Sequence, residues 1–199
     1  MLKYILIFLI FTFGQTITFG QLNFDISKVK GKTKSHFKKY RKTSKNSTFE
    51  TVSIFYSKNK YEICLSAFYG PNGGFAEYKL YSNGEEWKAI KWESDFVNLY
   101  DTTINKYKKL KPNNWDTVLN KLNELSIFLL PNQITLERKT RKECSVFDGA
   151  MYSISFKIGK RFRIYSFDNP DICANKFKDI LEYKKYNEIV DIFYNSFKE

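Results

Sequence analysis

The chain has 199 residues, of which 43% are hydrophobic and 18% aromatic, and it carries a formal charge of +12 at pH 7. That length sets one domain plus a tail as the default, and the apolar content excludes a wholly disordered chain. One histidine, three cysteines and no Cys-x-x-Cys exclude most histidine-based catalytic sites and the usual zinc spacings, so neither a metal nor a cofactor is expected.

Residues 1–20 read as an export signal. Lys3 is followed by the apolar run Tyr4–Phe13, broken only by Thr12 and ended by Gly14 and Gln15. The run falls well short of the roughly 20 residues that span a bilayer, but suits the apolar core of a cleaved leader. Cleavage is expected between Gly20 and Gln21, leaving a secreted or periplasmic chain. A second Thr-Phe-Gly-Gln copy at Thr12–Gln15 abuts the apolar core too closely. Loss of the leader removes Lys3 and leaves +11. A charge of that size favours anionic partners: a polymer, lipid head groups or an acidic protein. The excess of Lys over Arg, with abundant Asn, Ile, Phe and Tyr, is also what AT-rich codons produce.

Residues 21–48 form a basic segment. Lys28, Lys30, Lys32, Lys34, Lys38, Lys39, Arg41, Lys42 and Lys45 follow with no acid after Asp25, a block that repels itself and lacks apolar periodicity. It is expected to be an extended arm, either a solvated leader or a contact for an anionic partner. The one histidine, His36, lies within it.

Residues 49–199 are expected to form a single α+β domain. Val52, Ile54 and Tyr56 alternate with polar neighbours, as do Tyr61, Ile63, Leu65 and Ala67. The switch from even to odd positions demands a two-residue turn at Lys58-Asn59 or Asn59-Lys60, predicting a first hairpin. Cys64, facing opposite to Ile63 and Leu65, reads as a buried small hydrophobe. Gly70–Gly74 is a loop without the Lys-Ser/Thr pair of a phosphate cradle. Strands are predicted at Phe75–Tyr81 and Trp87–Trp92, completing an antiparallel meander. Trp87, Trp92, Tyr78 and Tyr81 could form a platform for sugar rings, and aromatics interleaved with Lys suit single-stranded nucleic acid, although core packing is the ordinary role of such residues. Glu85-Glu86 beside Asn83-Gly84 reads as a solvated turn.

Phe96, Leu99, Tyr100, Thr103 and Tyr107 have helical spacing, which predicts a helix over Ser94–Leu110. After Pro112, Asn114 can cap a helix whose face carries Trp115, Val118, Leu119, Leu122, Leu125 and Leu129, with Asp116 in the first turn and Pro131 as the stop. Arg138, Lys139, Arg141 and Lys142 make a second basic cluster. Phe177, Ile180 and Leu181 suggest a short helix, and Tyr186, Ile189, Val190, Phe193 and Phe197 a longer one.

Cys144 and Cys173 bracket a second hairpin, Val146–Phe156 and Phe162–Phe167, and are expected to form a disulfide. Even-numbered apolar residues on both strands predict a pair sum of 318, with Phe156 facing Phe162 and a three-residue loop Ile158-Gly159-Lys160. The cysteines sum to 317, so a bulge or kink is required at Asp148-Gly149 or Asn169-Pro170. Asp148, Asp168 and Asp171 gather at this hairpin's mouth. They could share a proton, bind a hard cation or flank a scissile glycosidic bond, though Asp-Gly and Asp-Asn-Pro are also ordinary turn chemistry.

The leading expectation is a non-enzymatic basic binding protein that contacts its partner through Lys28–Lys45 and Arg138–Lys142. A carboxylate-dependent hydrolase acting through Asp148 with Asp168 or Asp171 is the rival, and a structural or inhibitor-like protein docking by a sheet edge the third.

Overall fold

The structure, a computed structural model, describes residues 38–39, 57–70, 74–94, 105–146 and 149–198. They form an antiparallel sheet with four helices on one face, an α+β arrangement as expected. In chain order the elements are β1 (Lys38–Lys39), β2 (Tyr61–Phe68), β3 (Phe75–Ser82), β4 (Trp87–Ser94), β5 (Asn105–Pro112), α1 (Trp115–Glu124), α2 (Gln133–Thr140), β6 (Met151–Ile158), β7 (Arg161–Asp168), α3 (Pro170–Lys176), α4 (Leu181–Asn195) and β8 (Phe197–Lys198). The strand order across the sheet is β1-β7-β6-β2-β3-β4-β5-β8.

The meander β2-β3-β4 forms where alternation predicts it. The first hairpin does not form as expected. β2 is flanked along its whole length by β3 (Leu65↔Tyr78) and by β6 (Leu65↔Ile154), so no edge is left for a partner before it. Lys60, expected in the turn, extends these ladders: its N–H donates to the Ser82 carbonyl and its carbonyl accepts from Gly159 N–H. Residues 52–56 lie outside the described residues. Ile63, Leu65 and Ala67 are buried on the helix side, and Cys64 is buried and free on the other, as its facing predicted.

The second hairpin pairs one residue out of the expected register. Ile158 faces Arg161, Phe156 faces Arg163 and Ile154 faces Tyr165, around the two-residue turn Gly159-Lys160. Gly159 has φ +59, the left-handed first position that a type II′ turn needs. The expectation took Phe162 and Ile164 as the inward residues. Tyr165 and Phe167 are the ones buried against α4, with Phe167 stacked on Tyr186 at 4.6 Å, while Ile164 is exposed.

The predicted helix over Ser94–Leu110 is corrected by β5. Residues 105–112 are a strand, and residues 95–104 lie outside the description. Leu110 and Pro112 of β5 are buried, on the face opposite to the exposed Tyr107. α1 begins as predicted, with the Asn114 side chain accepting from Thr117 N–H at 3.1 Å. It stops at Glu124 instead of running to Leu129, because Ser126 turns left-handed at φ 58. Ile127, Phe128 and Leu130 are nevertheless buried, so apolar residues that read as a helix face fill the core from an irregular turn. α2 occupies the stretch read only as a charge cluster, with Asn132 capping Ile134 N–H at 3.0 Å. The short helix also differs: Pro170–Lys176 is helical and Phe177–Ile180 is the connection to α4. Pro at N1 explains the start, since its missing N–H costs nothing there.

Cys144 and Cys173 are bonded, with Cα atoms 5.8 Å apart. No bulge reconciles the cysteines with the strand register, because the bridge is not between strands. The chain leaves β7 at Asn169, in the left-handed region at φ 41, and Cys173 meets Cys144 from α3. Gly149 lies beneath this corner, where a Cβ would fall 1.7 Å from Asn169 Oδ1. That oxygen accepts from Ala150 N–H at 2.9 Å, and Asn169 N–H donates to the Ala150 carbonyl at 3.0 Å.

Candidate functional site

Alternation in β3, β4 and β5 sends one set of residues into the helical layer and the other to the far face. The inward set is Tyr78, Leu80, Ala89 and Leu110, with Trp87 packed near Trp115 at 6.3 Å. The far set forms rows across neighbouring strands. Glu77 lies opposite Trp92, and Trp92 opposite Tyr107. Lys79 lies opposite Ile90, and Ile90 opposite Lys109. Tyr81 lies opposite Lys88, and Lys111 of β5 lies opposite Lys198 of β8.

Lys88, Lys109, Lys111 and Lys198 are exposed, Tyr107 is 56% exposed, and Trp92 and Ile90 are half-buried. Lys88 pairs with Glu86 at 2.7 Å, a contact in water that contributes little. Among the described residues no carboxylate pairs with Lys109, Lys111 or Lys198. Cross-strand neighbours stand about 5 Å apart, close enough for like charges to repel. An anion laid over them would relieve that repulsion. Trp92 and Tyr107 have no ring partner among the described residues, in a fold where most buried rings stack on one another. The proposed aromatic platform is therefore divided by the sheet: Tyr81 and Trp92 lie on the far face, while Trp87 and Tyr78 belong to the core side.

Toward β2 the far face changes character. Glu62 is 1% exposed, and its Oε1 accepts from Ser57 Oγ and, at 2.6 Å, from Asn59 Nδ2. Its Oε2 accepts no hydrogen bond and lies 3.9 Å from Lys79 Nζ. Lys157 Nζ donates to the Ser57 carbonyl. Glu77 accepts from Ser66 Oγ at 3.4 Å, and burial holds its carboxyl above the usual range. Burial also pushes the Cys64 thiol well up, which keeps it protonated and unreactive. These groups tie the 57–59 segment onto the sheet.

The expected contact residues fall elsewhere. Of the basic segment, only Lys38 and Lys39 are among the described residues, and they pair with β7 (Lys38↔Phe162, Lys39↔Arg161). This part of the segment is a sheet edge. Lys28, Lys30, Lys32, Lys34, Arg41 and Lys42 lie outside the description. Arg138 and Lys139 are exposed in the last turn of α2, and exposed Arg141 caps it at φ 57. Cations there also complement the helix dipole. Lys142 is engaged by Asp179 at 2.5 Å.

At the hairpin mouth, Asp148 lies outside the described residues. Asp168 ends β7, its N–H donating to Gln133 Oε1 at 2.6 Å, and Asp171 is exposed in the first turn of α3. Partial burial and the nearby Glu137 hold the Asp168 carboxyl above its usual range. Glu137 is itself occupied, accepting from Gln133 Nε2 at 2.9 Å and Cys144 N–H at 3.0 Å. Burial and Glu137 push the Tyr183 hydroxyl up to about 12. Among the described residues no group of three or more His, Cys, Asp or Glu could hold a metal ion.

The β4–β5–β8 patch escaped sequence reasoning because β5 was read as a helix. The signal was present in the alternation Tyr107, Lys109, Lys111. No helix among the described residues is long and apolar enough to cross a membrane. No family model, curated protein or solved structure matches the chain.

Proposed function

We propose that this is an exported, non-enzymatic binding protein that engages an anionic polymer through the far face of β4, β5 and β8. The observation that carries the reading is the set of exposed lysines on adjacent strands of one face: Lys88, Lys109, Lys111 and Lys198, beside the unstacked rings of Trp92 and Tyr107. The net charge, +12 for the whole chain and one less without the leader's Lys3, attracts a polyanion at long range, and this face would fix where it docks. Export is supported by the apolar leader pattern of residues 1–20 and by the disulfide, which persists in oxidising compartments. The arm around Lys28–Lys45 and the end of α2 are secondary contacts in this reading. β1 and β8 are at opposite edges of the sheet, about 34 Å apart at the usual strand spacing.

Retention on heparin tests the proposal. Converting Lys88, Lys109, Lys111 and Lys198 together to Gln should move elution to clearly lower salt. Converting Arg138, Lys139 and Arg141 to Gln should move it much less. Equal elution of the wild type and the four-lysine variant would refute the docking face.

A further inference from the structure

We infer that the polymer is a single-stranded nucleic acid, an assignment that rests on the binding reading above. Trp92 and Tyr107 are directly opposed on adjacent strands, and neither ring stacks on another among the described residues. Both residues belong to the same face of a continuous sheet. The lysines lie one and two alternation steps away along the same strands, Lys109 and Lys111 beyond Tyr107 and Lys88 beyond Ile90. Each alternation step is about 6.8 Å along a strand. An extended strand can therefore set bases on the rings while successive phosphates pass over the ammonium groups.

The chemistry favours this polymer over an acidic polysaccharide. Bases present a flat π face to an aromatic ring whatever their sequence. The far-face neighbours of Trp92 and Tyr107 along their strands are Ile90 and Lys109 on one side and Ser94 and Asn105 on the other, with Glu77 across from Trp92. Lysine is a point charge without a fixed fork, suited to phosphates whose positions vary along a flexible strand. A lipid surface is disfavoured because the half-buried Trp92 and Ile90 lie within the sheet plane among the lysines, not at a protruding tip.

The test uses the exported chain with its disulfide intact and an oligo(dT) of about 15 nucleotides, within the length that such platforms cover. Binding should weaken steeply with salt and quench tryptophan fluorescence. Tyr107→Ala should lower oligo(dT) affinity about tenfold, the size of one lost stacking contact, while Tyr107→Phe retains it. Heparin retention should be the same for all three proteins. Duplex DNA of equal length, whose bases are hidden, should compete poorly. Unchanged oligo(dT) affinity in Tyr107→Ala, equal competition by duplex, or tighter binding to phosphatidylglycerol vesicles than to oligo(dT) would each overturn the assignment. With heparin binding intact, those results would leave the broader reading standing. Failure to bind both heparin and oligo(dT) would remove both.

Discussion

Arg163 is a cation within the core, 8% exposed, with no carboxylate partner among the described residues. Its guanidinium donates to the carbonyls of Phe128 and Leu130 and packs 5.0 Å from the Tyr165 ring. Tyr165 donates to the Ile127 carbonyl at 2.8 Å and Tyr186 to that of Pro131. Three side chains thus satisfy the polar backbone of a turn that no helix can satisfy. Arg163→Met should destabilise the protein by about 3 kcal/mol, because both buried carbonyls lose their donor. A urea midpoint lowered at constant slope would show it, and an unchanged midpoint would contradict it. Gly149→Ala is also expected to destabilise, since its Cβ would displace Asn169 from the Ala150 amide.

Asp168 supplies a pH dependence with a definite sign. Its carboxyl binds a proton more tightly in the folded chain than in the unfolded one, because burial and Glu137 both disfavour its charge. This contribution to stability is therefore fully present below the unfolded-state carboxyl range and is lost as pH rises through the higher folded value. Asp168→Asn should raise the thermal midpoint at pH 7 and flatten its fall between mildly acidic and neutral pH. A lower midpoint at pH 7 would show that the carboxylate stabilises the fold. Some of this scale was legible in the sequence. The burial of Cys64 followed from its facing, and the Cys144–Cys173 pair from elimination. Arg163 was not, because an arginine flanked by Phe162 and Ile164 reads as the solvent side of a strand.

At the scale of elements, the disulfide fastens the exit of α2 to α3 across the hairpin β6–β7, closing a separation of 29 residues. On the chain-entropy account such a loop contributes about 3.5 kcal/mol. Cys144→Ala with Cys173→Ala should lose roughly that amount in denaturant unfolding, and a loss below about 1 kcal/mol would mean that other contacts hold the end of α2 to α3. Helix starts were readable because a cap has a chemical signature: Asn114 for α1, and Pro170 for α3 once the turn before it is recognised. Helix ends and strand identity were less so. Ser126 turns left-handed without a glycine to announce it, and β5 carries four lysines whose aliphatic stems suit either a helix or a sheet edge. Lysines along an edge also discourage pairing with other sheets, so the β5 charges guard that edge as well as forming the proposed docking face.

 Across the whole molecule, the determining event is the pairing of β2 (Tyr61–Phe68) with β6 (Met151–Ile158), two strands far apart in the chain. Ile63 faces Phe156 and Leu65 faces Ile154, so this ladder places the β6–β7 hairpin beside the meander and completes the sheet on which the helices pack. Alternation alone favours a local partner, because a short turn closes at little entropic cost. The distant strand is paired instead because β2 is buried on both faces and needs a ladder on both edges. That choice is invisible to local periodicity. It is why the α+β class was legible and the neighbour of β2 was not. The same choice leaves β4, β5 and β8 at one edge, where their far-face lysines stay accessible.

The central claim is that this edge face binds the anionic polymer. Backbone amide shifts of the isotope-labelled protein, followed during titration with oligo(dT), test it most directly. The account predicts that the largest changes fall on Lys88–Trp92, Tyr107–Lys111 and Lys198, with small changes at β1, β7 and the end of α2. Changes concentrated at Lys38–Lys39 and Arg161, or at Arg138–Arg141, with β4 and β5 unmoved, would contradict it.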